Sequence, residues 1–159
     1  MNLSLRNADK NDMELLFRFA NDDEVRKASF TTDQIDIETH KKWFDKKLKS
    51  DACDIFIAED ENKIPVGQVR FEYEDGGAVI SYSIDKDERG KGYAKVMLKC
   101  AMNKVAANRS DITKFVAEVK KDNIASNEVF EKLGFTMISD NPHFVYIMSI
   151  DDMKSLQIR

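Results

Sequence analysis

The sequence predicts an α+β fold built on a mixed, mostly antiparallel sheet. Alternating apolar runs at 54–59, 66–73 and 78–84 are separated only by the short turn signals Glu61-Asn62-Lys63 and Asp75-Gly76-Gly77, the mark of consecutive hairpins. The third run leads through Arg89-Gly90-Lys91-Gly92-Tyr93-Ala94 into the best helical pattern of the chain. A further strand, a helix and two strands follow, without the regular βα alternation of a parallel sheet.

Taken in order, Leu3 and Leu5 alternate with polar residues and predict a short first strand. Asp9 is placed to cap a helix carrying Met13, Leu16, Phe19 and Ala20 on one face. The polar stretch from Asn21 to Ser29 reads as a turn or short helix. A second helical pattern starts near Asp36, with His40, Trp43, Phe44 and Leu48 sharing one face. The strand at 54–59 sets Ile55 and Ile57 on one side. After the glycine-rich turn, Ala94, Met97, Leu98, Ala101, Met102 and Val105 recur at helical spacing, with Lys95, Lys99, Asn103 and Lys104 opposite. Phe115 to Val119 reads as a strand, Asn123 to Leu133 as a helix stopped by Gly134, and Phe135–Ile138 with Phe144–Ile150 as a final strand pair. Seven strands result.

At 159 residues, with 42% hydrophobic and 34% charged residues, the chain reads as one globular domain over 1–159. No repeat, low-complexity tract or linker interrupts it. The net charge of −4 speaks against broad nucleic-acid binding. Met1-Asn2-Leu3-Ser4-Leu5-Arg6 has no signal-peptide core, and no apolar run approaches the roughly 20 residues of a membrane span. A cytoplasmic protein without membrane partners is expected. Cys53 and Cys100 sit in apolar-patterned segments and read as buried free thiols. His40 and His143 lack supporting cysteine or carboxylate spacing, so no metal is expected.

The chemistry starts at Arg89–Ala94. A glycine-rich turn between a strand and a helix gathers free backbone N–H groups and the positive end of a helix dipole, a site suited to phosphate. A nucleoside-triphosphatase loop needs Gly-Lys-Ser/Thr at its end, which is absent. A dinucleotide fingerprint needs a small residue where Lys95 stands, and it needs βαβ units in place of hairpins. Arg89-x-x-Gly92-x-Ala94 instead resembles the Gln/Arg-x-x-Gly-x-Gly/Ala signature of the Gcn5-related N-acetyltransferases (GNAT). Asn123-x-x-Ser126-Asn127-x-x-Phe130, followed by Gly134-Phe135, is similar to that family's second cofactor segment.

The resemblance covers nearly the whole chain. It implies a sheet of about seven strands flanked by helices, with acetyl-coenzyme A as co-substrate and no metal. In such a fold the loop residues Arg89, Gly90, Lys91, Gly92, Tyr93 and Ala94 hold the pyrophosphate. The pantetheine arm lies in a V-shaped slot beside the backbone of Ser83 and Ile84, where an N–H polarises the thioester carbonyl. Asn123, Ser126, Asn127 and Phe130 complete the implied cofactor set. Solvated turn positions for Arg89 and Lys91, and a helix cap for Asn123, are the alternatives. The family often pairs through its C-terminal strands, which carries the expectation of a homodimer.

Direct transfer also needs a neutral amine and a proton for the departing thiolate. Phe130 stands where the family often has the protonating tyrosine. Tyr82, Tyr93, Tyr73 or a water are the substitutes. Glu118, Glu72 and His40 are the candidate bases. A surface pairing of Glu118 with Lys120, and packing of His40 with Trp43 and Phe44, are the structural alternatives.

The acceptor wall falls to the first fifty residues. Asn21-Asp22-x-x-Val25-Arg26-x-x-Ser29 with His40-x-x-Trp43-Phe44 resembles a subgroup acetylating nucleotide-linked 4-amino-4,6-dideoxy sugars, and ribosomal-protein N-terminal acetyltransferases share parts of it. Arg26 is the candidate for a phosphate or carboxylate, and Trp43 or Phe30 for a ring. A salt bridge for Arg26 and core packing for Trp43 stand against these. The expected function is therefore an N-acetyltransferase for a small amine, foremost a nucleotide-linked amino sugar. A peptide N-terminal acetyltransferase and a coenzyme A-binding module without turnover are the alternatives.

Overall fold

A computed structural model describes residues 2–158. Its centre is one seven-stranded sheet formed by β1 (Ser4–Asn7), β2 (Cys53–Glu59), β3 (Pro65–Glu74), β4 (Gly77–Ile84), β5 (Lys114–Val119), β6 (Thr136–Ser139) and β7 (Phe144–Ser149), in the order β1-β2-β3-β4-β5-β7-β6. Every neighbouring pair is antiparallel except β4 and β5. The Asp75-Gly76 corner, with φ of 50° and 76°, closes the β3–β4 hairpin as its sequence predicts.

Strand alternation sorts the two faces. Phe56, Ala58, Val69, Phe71, Ala78 and Ile80 pack beneath α4 (Tyr93–Asn108) and α5 (Ile124–Leu133) in the larger core. The opposite side chains of β2, Cys53, Ile55 and Ile57, meet Leu16 and Phe19 of α1 (Met13–Ala20) and Phe44 of α3 (Ile37–Leu48). The stretch after Asn21 forms α2 (Asp23–Ala28), capped by Asp22. On α4 the predicted face is buried at Met97, Leu98, Ala101, Met102 and Val105.

Three expectations are corrected. Leu48, the last residue of α3, is exposed, whereas His40 and Phe44 of the same predicted face are buried. Cys100 is exposed on α4 while Cys53 is buried, since position 100 falls outside the Met97–Ala101 stripe. Ile150 does not extend β7: it starts α6 (Ile150–Ile158), where Ser149 Oγ accepts from Asp152 N at 3.0 Å and Met153 is buried.

The entry to α1 is held electrostatically. Asp9 caps a 3₁₀ turn at Lys10–Asp12, and Asp12 returns a bond to Asp9 N. The buried Asp12 carboxylate also takes both terminal nitrogens of Arg6 at 2.8 Å. The Arg6 hydrogen bonds hold Asp12 below its ordinary value of 3.8 against the opposing effect of burial. The folded state therefore prefers the ionised form, and this stabilisation is present above about pH 4 and fades as pH falls through the depressed folded value. Asp12→Ala is expected to cost about 2 kcal/mol near neutral pH. In urea unfolding, the gap to the wild type should narrow as the pH falls below about 4.

Candidate active site

β4 and β5 pair only from Gly77↔Lys114 to Val79↔Val116. Beyond Val79 they separate, and a cleft of about 1010 Å³ runs through the gap. One wall is β4, the start of α4 and the start of α5; the other is α1, α2, α3 and the exposed side of β3. Asp85 N donates to the Val66 carbonyl at 2.8 Å, which fixes the phase of the β3–β4 ladder. Hydrogen-bonded pairs recur at every second residue, so Ser81 and Ser83 spend their backbone groups on Arg70 and Gln68. Tyr82 and Ile84 turn theirs toward the gap. Ser83, expected to offer its backbone there, is corrected: it faces β3, and its hydroxyl accepts from Gln68 at 3.1 Å.

At the mouth of the gap, Gly90 (φ 78°) and Gly92 (φ 85°) take left-handed backbone, which L side chains adopt only under strain. Gly92 is the N-cap of the sixteen-residue α4. Among the described residues no side chain caps this helix, and none in its first turn is acidic. Its first N–H groups and its dipole are thus directed into the cleft entrance without a protein anion. Arg89 lines the cleft and pairs with Asp22 on α2. Lys91 is corrected in its side chain alone: the ammonium binds Glu88 at 3.0 Å and is not turned to the cleft lining. Tyr93 and Ala94 line the cleft.

From α5, Asn123 lines the cleft and caps its helix, accepting from Ser126 N at 3.2 Å. Ser126 Oγ accepts from the Tyr82 hydroxyl at 3.1 Å. Asn127 is corrected from a cofactor residue to a fastener. Its amide donates to the Asn123 and Lys120 carbonyls at 3.0 and 3.1 Å, and its Oδ1 accepts from Tyr146 at 2.9 Å. Phe130 borders the cleft yet is 2% exposed, packed against Tyr82, Phe135 and Tyr146. Of the candidate tyrosines, Tyr73 donates to Asp54 at 2.6 Å and stays outside the cleft. Tyr82 lies inside, and burial pushes its phenol up against the opposing Ser126 bond, so it holds its proton at neutral pH.

The candidate bases separate in the same way. Glu72 is corrected: it bonds Lys47, faces Arg70 and does not border the cleft. Glu118 stands near the end of β5 at the gap, 3.2 Å from His143 Nε2. His40 is 2% exposed on the acceptor side, among Phe17, Trp43 and Phe44. Burial pushes its imidazole down, opposed by a hydrogen bond to the Met13 carbonyl.

On the acceptor side, Phe30 is 56% exposed against His143, and Trp43 is half-buried. Arg26 is corrected. Its guanidinium is spent on the Ala20, Thr31 and Asp33 carbonyls and Ser29 Oγ, so it staples the loop after α2. The arginine that sequence reasoning missed is Arg70, whose guanidinium lies 5.0 Å from the Trp43 ring and bonds Ser81 at 3.3 Å. Alternation was its signal: Gln68, Arg70 and Glu72 are the polar partners of Val69 and Phe71 on β3. Among the described residues no group of three or more His, Cys, Asp or Glu is placed to hold a metal. No described helix is long and apolar enough to cross a membrane.

The acetyltransferase (GNAT) domain model matches residues 2–136. No curated protein matches the sequence. Among solved structures, the spermidine N-acetyltransferase of Vibrio cholerae in complex with CoA and spermine is similar at a TM-score of 0.83 and 18% identity, covering 96% of this chain and 98% of that one. RimL, a ribosomal L7/L12 alpha-N-protein acetyltransferase in complex with coenzyme A, gives 0.80 at 21% identity over 96% of both chains. The aminoglycoside acetyltransferase AAC(6')-Ib with coenzyme A gives 0.81 at 15% identity over 98% and 99%. These three likenesses carry the fold.

The buried His40 ring makes a pH-dependent contribution. Its folded value lies below the ordinary 6.5, so the unfolded chain takes up the proton first and stability falls as pH drops below about 6.5. His40→Phe should flatten that part of the curve. Chemical denaturation from pH 7.5 to 5, compared between the two proteins, isolates His40 from His143.

Proposed function

The chain belongs to the acetyltransferase (GNAT) domain family and is an N-acetyltransferase. On that premise we propose that it uses acetyl-CoA to acetylate the primary amine of a nucleotide-linked amino sugar, by direct attack in a ternary complex. The observation that carries the donor half is the open edge of β4 beyond Val79, lying beside the uncapped start of α4. An extended pantetheine arm fits an unpaired strand edge, and a pyrophosphate fits free helix N–H groups. Acetyl-CoA supplies an acetyl group already activated as a thioester. The residues that would hold it are the amides after Gly90 and Gly92, Arg89, Asn123 and the backbone of Tyr82 and Ile84.

The chain's own side chains handle the protons. Glu118, at the gap in β5 and backed by His143, takes the proton from the incoming ammonium. Tyr82, protonated and joined to Ser126, supplies the proton that Phe130 does not have. A hydroxyl beside Phe130 also weighs against a module without turnover. For the acceptor, the half-buried Trp43 indole supports a sugar ring. A peptide amino terminus would favour an acidic lining along an extended groove, whereas α3, β3 and β4 bring no carboxylate to this cleft.

Two tests follow from this assignment. Gly92→Val forces a β-branched residue into left-handed backbone, at a cost of about 1–3 kcal/mol. Calorimetry should show acetyl-CoA affinity falling by roughly tenfold or more in the still-folded variant, as expected for a displaced phosphate loop. Unchanged affinity would remove the loop from the cofactor site. In a thiol-release assay, the wild type should turn over a nucleotide-linked 4-amino sugar faster than an N-terminal peptide. Tyr82→Phe and Glu118→Gln should each lower kcat by roughly 10²-fold, and Glu118→Gln should also remove the acidic limb of the pH–rate profile.

A further inference from the structure

Among the described residues, two buried side-chain polar atoms have no hydrogen-bond partner: His40 Nε2 and Arg70 Nε. Both residues line the same cleft, on the wall facing β4, and both flank the same indole. The His40 ring lies 5.7 Å from Trp43, and the Arg70 guanidinium 5.0 Å from it. Buried polar atoms are nearly always paired, so two orphans around one half-buried aromatic point to partners that a ligand brings.

Their chemistry is complementary. Burial disfavours the charged imidazole, and Nε2 has no partner within the protein, so the neutral ring leaves that nitrogen open to a hydrogen bond. Arg70 Nε–H donates. It stands 3.8 Å from Glu72 Oε1, too far for a hydrogen bond, while Lys47 binds that same carboxylate oxygen directly. Two cations therefore share one carboxylate, and of the three only Arg70 lines the cleft, where its charge is incompletely matched. The carboxylates that line the cleft, Glu24, Glu88, Glu118 and Glu128, come from other elements. Glu88 is paired with Lys91 and Glu118 with His143, and Glu24 and Glu128 are exposed.

We propose that this wall is the acceptor subsite, and that it selects amines carrying an anionic group. A carboxylate or phosphate oxygen accepts from Arg70, a polar group of the acceptor bonds His40, and the carbon frame between them lies on Trp43. Polycationic amines meet Arg70 as a like charge and are disfavoured. The inference rests on the acetyltransferase reading, whose acceptor it names.

Trp43 is the single tryptophan of the chain, so its fluorescence reports on this wall without any turnover. The wild type is titrated, with coenzyme A present, with glucosamine, glucosamine 6-phosphate, glucosaminuronic acid and spermidine. The phosphate- or carboxylate-bearing amine should bind at least tenfold more tightly than glucosamine, and spermidine most weakly. Whichever anion gains more identifies the oxyanion. Arg70→Gln should weaken the anionic amines by roughly 10- to 100-fold and leave glucosamine within about twofold, as expected when one partner of a charge-assisted bond is removed. Arg70→Lys should restore part of the loss, and coenzyme A affinity measured in parallel should not change. Preference for spermidine, or an equal loss for neutral and anionic amines in Arg70→Gln, overturns the subsite. If Arg70→Gln does not fold, the wild-type ranking alone decides. Thiol release with the same amines is scored separately: anion-selective binding with no release anywhere sinks the acetyltransferase reading and leaves the subsite standing.

Discussion

The early end of the β4–β5 ladder is the constraint on which the rest of the molecule depends. Pairing stops at Val79↔Val116, five residues before β4 itself ends at Ile84. A strand interior with one unpaired edge is costly unless water or a ligand takes up its N–H and C=O groups. β3 secures the other edge through an uninterrupted register from Gly67↔Ile84 to Glu74↔Gly77, so β4 stays extended without β5. The cleft is thus made by a deliberate mismatch between two ladders on one strand, and the hairpin carries the mechanical load.

What holds the gap open is the other side of the same sheet. β5 is drawn away by β7, with which it pairs over its full length from Lys114↔Ser149 to Val119↔Phe144. Asn127 locks the start of α5 to the chain leaving β5, through the Lys120 and Asn123 carbonyls, and Tyr146 of β7 secures its remaining oxygen. Tyr82 then spans from β4 to Ser126, filling part of the opening on the α5 side. The polar residues of this segment divide by orientation alone: Asn123 and Ser126 border the cleft, and Asn127, the next residue, points its amide back to the Lys120 and Asn123 carbonyls.

Legibility in the sequence follows the range of the interactions involved. The strands, the four main helices and the Gly90/Gly92 turn were readable because each is set by alternation, helical period or a local φ requirement. Arg26 was misread because an arginine near a polar loop looks alike whether it awaits a ligand or stitches carbonyls at positions 20, 31 and 33. Lys91 sits in the right motif, yet Glu88 three residues earlier captures it. α6 escaped because Ile150 continues the alternation of β7, and its only local sign is the Ser149 cap. Arg70 was visible as a polar position on a strand, but its meeting with Trp43 joins residues 27 positions apart across two layers.

That difference in range bears on how such a cleft acquires specificity. Its donor wall is a run of main chain between Tyr82 and Ala94 and tolerates side-chain change wherever φ allows it. The facing wall consists of side chains from α1, α2, α3 and β3, with Trp43 flanked by His40 and Arg70. Burial raises the penalty for an unmatched partner at His40 Nε2 and Arg70 Nε, and under the proposed subsite a wrong acceptor leaves both of them unpaired. Discrimination at such atoms grows with the desolvation that the fold has already imposed.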